Sequence, residues 1–368
     1  MKRFHFLLLF LSISYSSLWS QYEFKEQKTI NCTEIKNQAR TGTCWSFATA
    51  SFIESELIQS GHKDLDLSEM FVVRNIYEDK AKNYILRQGK ANFSQGSLSH
   101  DLIRIMSKNG VVPDEAYSGL LEEAKSHNHG EMEAGLKGFL DGILKRKSLS
   151  KKWSIAFNKI LDVYLGEKPQ RFNYKGKSYT PESFASHLGL DAQNYVSLSS
   201  FTHHPFYEEF ILEIPDNYSN GSFYNVPIEE MMSTIDNALE MGYSLAWDGD
   251  VSEKGFSAKE GIAVLPEDAA REDLFSTLGK EKEVTQQSRQ DAFESYSTTD
   301  DHLMHLIGWA KDQNGNKYYI IKNSWGEISP FKGYLYMSEA YVKMKTVAIM
   351  VNKSSIPKRT SSKLFAEK

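Results

Sequence analysis

Gln38-Ala39-Arg40-Thr41-Gly42-Thr43-Cys44-Trp45-Ser46-Phe47 places a cysteine where a polar, glycine-bearing loop turns into an amphipathic segment running to about Leu57. Phe47, Ala48, Phe52, Ile53 and Leu57 recur at helical spacing, so one face of that segment is apolar. Cys44 falls in the first turn of the expected helix, where the positive end of the helix dipole favours a thiolate over a thiol. Gln38, earlier in the same loop, offers a side-chain amide donor to the same place. A small cysteine packed under a helix is the competing account, and this stretch alone does not separate the two.

The chain of 368 residues is 40% hydrophobic and 25% charged, which suits a large packed core and excludes global disorder. A net charge of −5 with scattered basic residues argues against nucleic acid as a partner. Lys2 and Arg3 precede the apolar run Phe6 to Leu11, and small polar residues follow to Ser20-Gln21. That is the layout of a secretory leader, so we expect a signal peptide over 1–20 and an exported protein, periplasmic or secreted. Its apolar core is short for a bilayer, and no later stretch is long enough for a membrane span. With only Cys32 and Cys44, the fold is not built on disulfides. A Cys32–Cys44 bridge, which would silence Cys44, is not expected.

From residue 21 the chain reads as one domain in four parts. Residues 21–119 form a helical lobe carrying Cys44, with Ser68 capping a second helix and a third, Leu98 to Lys108, stopped by Asn109-Gly110. Residues 120–195 read as a helical insertion, with periodic segments at Ala134 to Lys145 and Ser154 to Leu165 and solvated basic runs between them. Residues 196–352 read as a lobe of antiparallel sheet or barrel. Its strands are expected at Tyr207 to Pro215, Tyr243 to Trp247, His302 to Ala310, Lys317 to Asn323 and Gly333 to Met337, with one helix from Ile228 to Met241. Asp312 to Asn316 is a hairpin loop with Asn-Gly at its tip. Ser252 to Asp300 reads as polar loop, and 353–368 as a frayed tail. The expected class is α+β, in two lobes.

A cysteine nucleophile needs a base, and the base needs an orienting partner. His302 and Asn323 fit if they lie on the two strands joined by the Asn314-Gly315 turn, where the asparagine carbonyl fixes the tautomer and aims the other ring nitrogen at Cys44. His305 would face the opposite side of the strand and pack. His203-His204 raises the question of a metal, but adjacent residues on a strand diverge and no carboxylate cluster completes a ligand set. We expect no metal and no cofactor.

Together, Gln38-x₅-Cys44-Trp45-Ser46-Phe47-Ala48, Leu67-Ser68-Glu69, His302-x₅-Gly308 and Asn323-Ser324-Trp325-Gly326 resemble the papain superfamily of cysteine peptidases. The insertion and the block Asp216 to Asp250 are similar to the bleomycin hydrolase and aminopeptidase C branch. The resemblance implies a papain-like two-lobe fold with Cys44 as nucleophile, His302 as base and acid, and Asn323 as orienter. It places Gln38 with the Cys44 N–H in an oxyanion hole, puts Gly96, Ser97, Asp301 and Trp325 beside the substrate, and has Trp325 shield the His302–Asn323 bond. A Cys–His pair of this sort implies a thiolate–imidazolium that labels fast with alkylating agents. Three departures stand out. His302 lies 258 residues after Cys44, against about 130–150 in papain-like enzymes. Ser97 replaces the second glycine of a substrate-binding pair. The tail, Ser361 to Lys368, does not resemble the C-terminal element that enters the cleft in that branch. The resemblance implies hydrolysis of peptides or proteins through an acyl-enzyme, with aminopeptidase action first and endopeptidase action second. A silent peptide-binding cleft is the rival from another class. The oligomeric state is not legible.

Overall fold

In the computed structural model, which describes residues 22–121 and 124–366, strand β1 (Lys25–Thr29) leads through a loop into helix α1 (Cys44–Gln59). The leader expected over 1–20 lies outside the described residues. Trp45, Phe52 and Ile53 of α1 are wholly buried, and so are the small polar Ser46, Thr49 and Ser55 around them. A helix buried on all sides belongs in the middle of a protein. It packs on α2 (Glu69–Leu86) and α3 (Ser99–Asn109) to one side and on the sheet to the other. The expected stops and starts hold: Ser68 Oγ accepts from the Phe71 N–H at 3.0 Å, and Gly110 closes α3 with a φ of 75°, open to glycine at little cost.

Both helices expected in the insertion form, as α4 (Gly130–Leu144) and α5 (Lys152–Leu165). Arg74 of α2, buried, holds α5 in place by donating to Asp162 at 2.7 Å while pairing with Glu78 at 2.6 Å. A small hairpin follows, β2 (Phe172–Tyr174) and β3 (Lys177–Tyr179), then α6 (Pro181–His187), which leans on α3.

The second half supplies β4 (Tyr195–Ser199), β5 (Glu209–Ile211), β6 (Ser222–Asn225), α7 (Ile228–Met241), β7 (Leu245–Gly249), β8 (Phe256–Ser257), β9 (Ile262–Ala263) and α8 (Gln286–Glu294). It continues with β10 (His302–Lys311), β11 (Lys317–Lys322), β12 (Tyr334–Ser338), α9 (Glu339–Lys345), β13 (Thr346–Asn352) and α10 (Lys358–Leu364). The sheet runs β5-β6-β4-β13-β7-β10-β11-β12-β9-β8, with β1 also on β10. It is open rather than a closed barrel, and antiparallel except at β4–β6 and β9–β12. Side chains alternate across it as a pleat requires. Ala246, Leu303, Ala348 and Met350 face the helices of the front lobe, while Leu245, Trp247, Met304, Leu306 and Ile349 pack with α7 behind.

Four expectations change. Only three residues of Tyr207 to Pro215 are strand, because the chain turns repeatedly on either side. The stretch Ser252 to Asp300 contains β8, β9 and α8, the last begun by a Thr285–Ser288 capping box. Residues 358–364 are a helix rather than a frayed end: Leu364 is buried in the core behind the sheet and Lys363 pairs with Glu230 of α7 at 2.6 Å. Strand β13, buried along its whole length between β4 and β7, was not anticipated at all.

Candidate active site

Cys44 is the first residue of α1 and is 8% exposed. The backbone of Leu303, next to His302 at the start of β10, hydrogen-bonds its sulfur, so the helix N-terminus of the front lobe meets the strand of the rear lobe here. In front of the sulfur lies a cleft of about 330 Å³ lined by Gly42, Gln95, Gly96, Leu303 and several acids. Cys32 and Cys44 are both free thiols, and Cys32 instead lies 3.8 Å from the Tyr334 hydroxyl.

His302 and Asn323 come together as the hairpin β10–β11 predicts. His302 opens β10, Asn323 follows the last residue of β11, and Nε2 of the ring is 2.8 Å from Asn323 Oδ1. The same Oδ1 accepts from the Ser324 N–H at 2.8 Å. An N–H can only donate, so that contact fixes which end of the amide is oxygen. His302 Nε2 therefore carries the proton and donates it, and Nδ1 keeps a lone pair. Trp325 stacks on the imidazole with centroids 4.4 Å apart. Gln38 is tied into the same structure. Its N–H donates to the Ser324 carbonyl at 2.8 Å, its Oε1 accepts from Ser324 Oγ at 2.6 Å, and its Nε2 donates to the Thr41 carbonyl at 2.7 Å. One Nε2 proton is left over.

Burial pushes the Cys44 thiol up to about 12, and the carboxylates of Asp300, Asp216 and Asp248 add to the rise. Burial pulls the His302 imidazole down to about 4, against the opposing pull of its bond to Asn323. Each group alone is thus held neutral. A thiolate at this position would need a cation beside it to offset that burial.

The residues expected beside the substrate do not behave alike. Gly96 lines the cleft, with the Asp216 carboxylate occupying the space where a side chain would stand. Lys80, buried in α2, donates to the carbonyls of Ser94 (3.0 Å) and Gly96 and so holds this wall in shape. Ser97 also lines the cleft, while its hydroxyl donates to Asp101 Oδ2 at 2.6 Å inside the lobe. Asp301 reaches the cleft rim, but its two oxygens accept from the N–H groups of Val251 (2.9 Å) and Ser252 (3.2 Å). Trp325 covers His302. Asp216, Asp300 and Glu133 of the lining, with Asp248 behind, were missed by sequence reasoning. They come from four distant segments, and no local pattern marks them.

His305 is a packing residue, fully buried, with Nδ1 on Ser51 Oγ at 2.9 Å. His203 and His204 sit in turns rather than on a strand, so they converge, and Glu213 supplies the carboxylate whose absence was expected. Their Nε2 atoms lie 3.2 and 2.7 Å from it. Gln290 Nε2 lies 3.0 Å from His203 Nδ1 and its Oε1 accepts from the Thr202 N–H, an arrangement that puts the His203 proton on Nε2. A protonated Nε2 donates to Glu213 and offers no lone pair to an ion.

The family described as Peptidase C1-like matches residues 15–368. Aminopeptidase G of Lactobacillus delbrueckii subsp. lactis is 24% identical over 372 residues, 88% of this chain and 82% of that protein. Aminopeptidase C of Listeria monocytogenes is 24% identical over 371 residues, 88% and 81% of the two chains. Among solved structures, PepW from Lactobacillus rhamnosis superposes with a TM-score of 0.72 at 19% identity, covering 92% of this chain and 84% of that one. The expectation of export is overturned by these relatives. The aminopeptidases C, G and W are intracellular bacterial enzymes, and the family match begins at residue 15, inside the stretch taken for a leader.

Proposed function

The chain belongs to the Peptidase C1-like family and is a cysteine-type peptidase with a papain-like fold, and on that footing we propose that it acts as an aminopeptidase through Cys44, His302 and Asn323. His302 Nδ1 takes the proton from Cys44 Sγ, and the thiolate attacks the substrate carbonyl carbon. The oxyanion is received by the Cys44 N–H, a first-turn donor with no acceptor inside its helix, and by the remaining Nε2 proton of Gln38. The imidazolium then passes its proton to the leaving amine, leaving an acyl-enzyme. Water, giving its proton to His302, releases the acid and restores the thiol. The observation that carries this reading is the chain Ser324 N–H to Asn323 Oδ1 to His302 Nε2, which leaves Nδ1 as the only ring atom able to accept.

Aminopeptidase action is supported by the names of the relatives. One observation favours endopeptidase action as a second reading. The described end of the chain, α10 to Ala366, packs on Tyr207, Tyr224 and Glu230 and does not line the Cys44 cleft. Turnover of a peptide with a free amino terminus is compared with that of its N-acetylated form. An aminopeptidase cleaves only the first; equal turnover establishes an endopeptidase, and no turnover of either, with Cys44 intact, leaves a binding protein.

A further inference from the structure

We propose that Asp248 and Asp300 form an acidic subsite beside Cys44 that binds a cationic group of the substrate, either its free α-ammonium or a lysine or arginine side chain. The inference rests on the peptidase reading and specifies what that cleft selects.

Asp248 is the anchor of the argument. It lies on β7 directly opposite Leu303 of β10, and residues paired across an antiparallel ladder put their side chains on the same face. Leu303 lines the cleft, so Asp248 stands on the cleft side of the sheet. It is 4% exposed, no N–H or hydroxyl of the fold reaches either of its oxygens, and its one hydrogen-bond partner is the carboxyl of Asp300. What adjoins it is a second acid, Asp300, which lines the cleft itself. Two buried carboxyls side by side with no cation between them are costly to keep.

The other acids of the cleft are already committed. Glu133 accepts from Gln95 Nε2 at 2.7 Å, Asp301 holds two loop N–H groups, and Asp216 Oδ1 accepts from Asn92 at 3.0 Å. No lysine or arginine is among the described residues that line the cleft. The nearby cation, Lys80, spends its ammonium on the Ser94 and Gly96 carbonyls. Asp248 and Asp300 therefore hold a proton between them, and a cation from outside can take its place. Its arrival also serves the nucleophile. After burial, the fields of Asp300, Asp216 and Asp248 are what hold the Cys44 thiol up, and a bound cation offsets them where the thiolate must form.

Asp248→Asn and Asp300→Asn in the full chain test this with three fluorogenic amides: alanyl with a free amino group, N-acetyl-alanyl, and N-acetyl-lysyl. Against wild type, each variant is expected to lower kcat/KM about 10- to 100-fold, mainly through KM, on whichever cationic substrates are cleaved; N-acetyl-alanyl, where it is cleaved at all, changes by less than about threefold, and where it is not, the protection of Cys44 supplies the neutral comparison. Loss on the free-amino substrate identifies the α-ammonium as the bound group, and loss on the lysyl substrate identifies the side chain. Equal losses on all three, or none, overturn the subsite and leave the peptidase standing. A second measurement needs neither turnover nor variants. Alaninamide or N-acetyl-lysinamide should protect wild-type Cys44 from iodoacetamide at concentrations where N-acetylalaninamide does not. Equal protection by all three overturns the subsite even if no amide is cleaved, and that absence of cleavage counts against the peptidase reading alone.

Discussion

Replacing His302 by Gln, which keeps most of the ring's volume and removes the base, isolates the dependence of the nucleophile on its partner. With imidazolium gone, the Leu303 backbone hydrogen bond alone opposes the burial that pushes the Cys44 thiol from 9.0 to about 12. A rise of three pKa units cuts the thiolate at neutral pH roughly 10³-fold. The more basic thiolate is intrinsically more nucleophilic, with a Brønsted slope of about 0.4–0.5, which returns a factor of roughly 20–30. Cys44 in the variant should therefore react with iodoacetamide roughly 30- to 50-fold more slowly than an ordinary thiol. Its rate should climb about tenfold per pH unit from 7 upward with no plateau below about pH 11. Wild type should react faster at neutral pH, with a rate that levels once His302 can hold the proton. The assay is mass-spectrometric labelling at Cys44 across pH 5 to 10, with the other thiol, Cys32, followed in the same digest. Labelling of the variant as fast as wild type at pH 7 would refute the claim that the thiolate needs a cation beside it.

Asn323→Ala deprives the buried His302 Nε2–H of its acceptor, which costs about 1–3 kcal/mol, so kcat/KM should fall roughly 5- to 150-fold with circular dichroism unchanged; unaltered kinetics would remove Asn323 from the site. Ser97→Ala should leave KM within about twofold while lowering stability by about 0.5–1.5 kcal/mol, since its hydroxyl serves Asp101 and not the cleft. A several-fold rise in KM would return Ser97 to the substrate. Burial, with Asp216 and Asp301 adding to it, lifts the Asp300 carboxyl from 3.8 to about 7. The folded state then holds that proton more tightly than the unfolded chain, so this group's contribution falls as pH rises from about 4 to about 7. Asp300→Asn should accordingly gain stability relative to wild type at pH 8 and not at pH 4, read from urea midpoints. A constant difference across that range would mean the carboxyl is not perturbed.

Local chemistry made much of this protein legible in the sequence. The helix at Cys44, the Ser68 cap, the Gly110 stop, both helices of the insertion and the hairpin that joins His302 to Asn323 rest on contacts between residues near in the chain, and periodicity and turn residues report such contacts directly. The short motifs around Cys44, His302 and Asn323 sufficed to suggest a papain-like peptidase. Tertiary packing decided the rest. Strand β13 is buried on both faces and lacks the alternation that marks a half-exposed strand. The helix at 358–364 exists because α7 offers Leu364 an apolar bed and Lys363 a carboxylate. His203 and His204 converge on Glu213 because the chain turns where a strand was expected. The acids of the cleft are the clearest case. Asp216, Asp248 and Asp300 are unremarkable in their own segments, and they become a site only when β7, β10 and the loop before Tyr218 bring like charges together out of water, where their repulsion and desolvation acquire meaning.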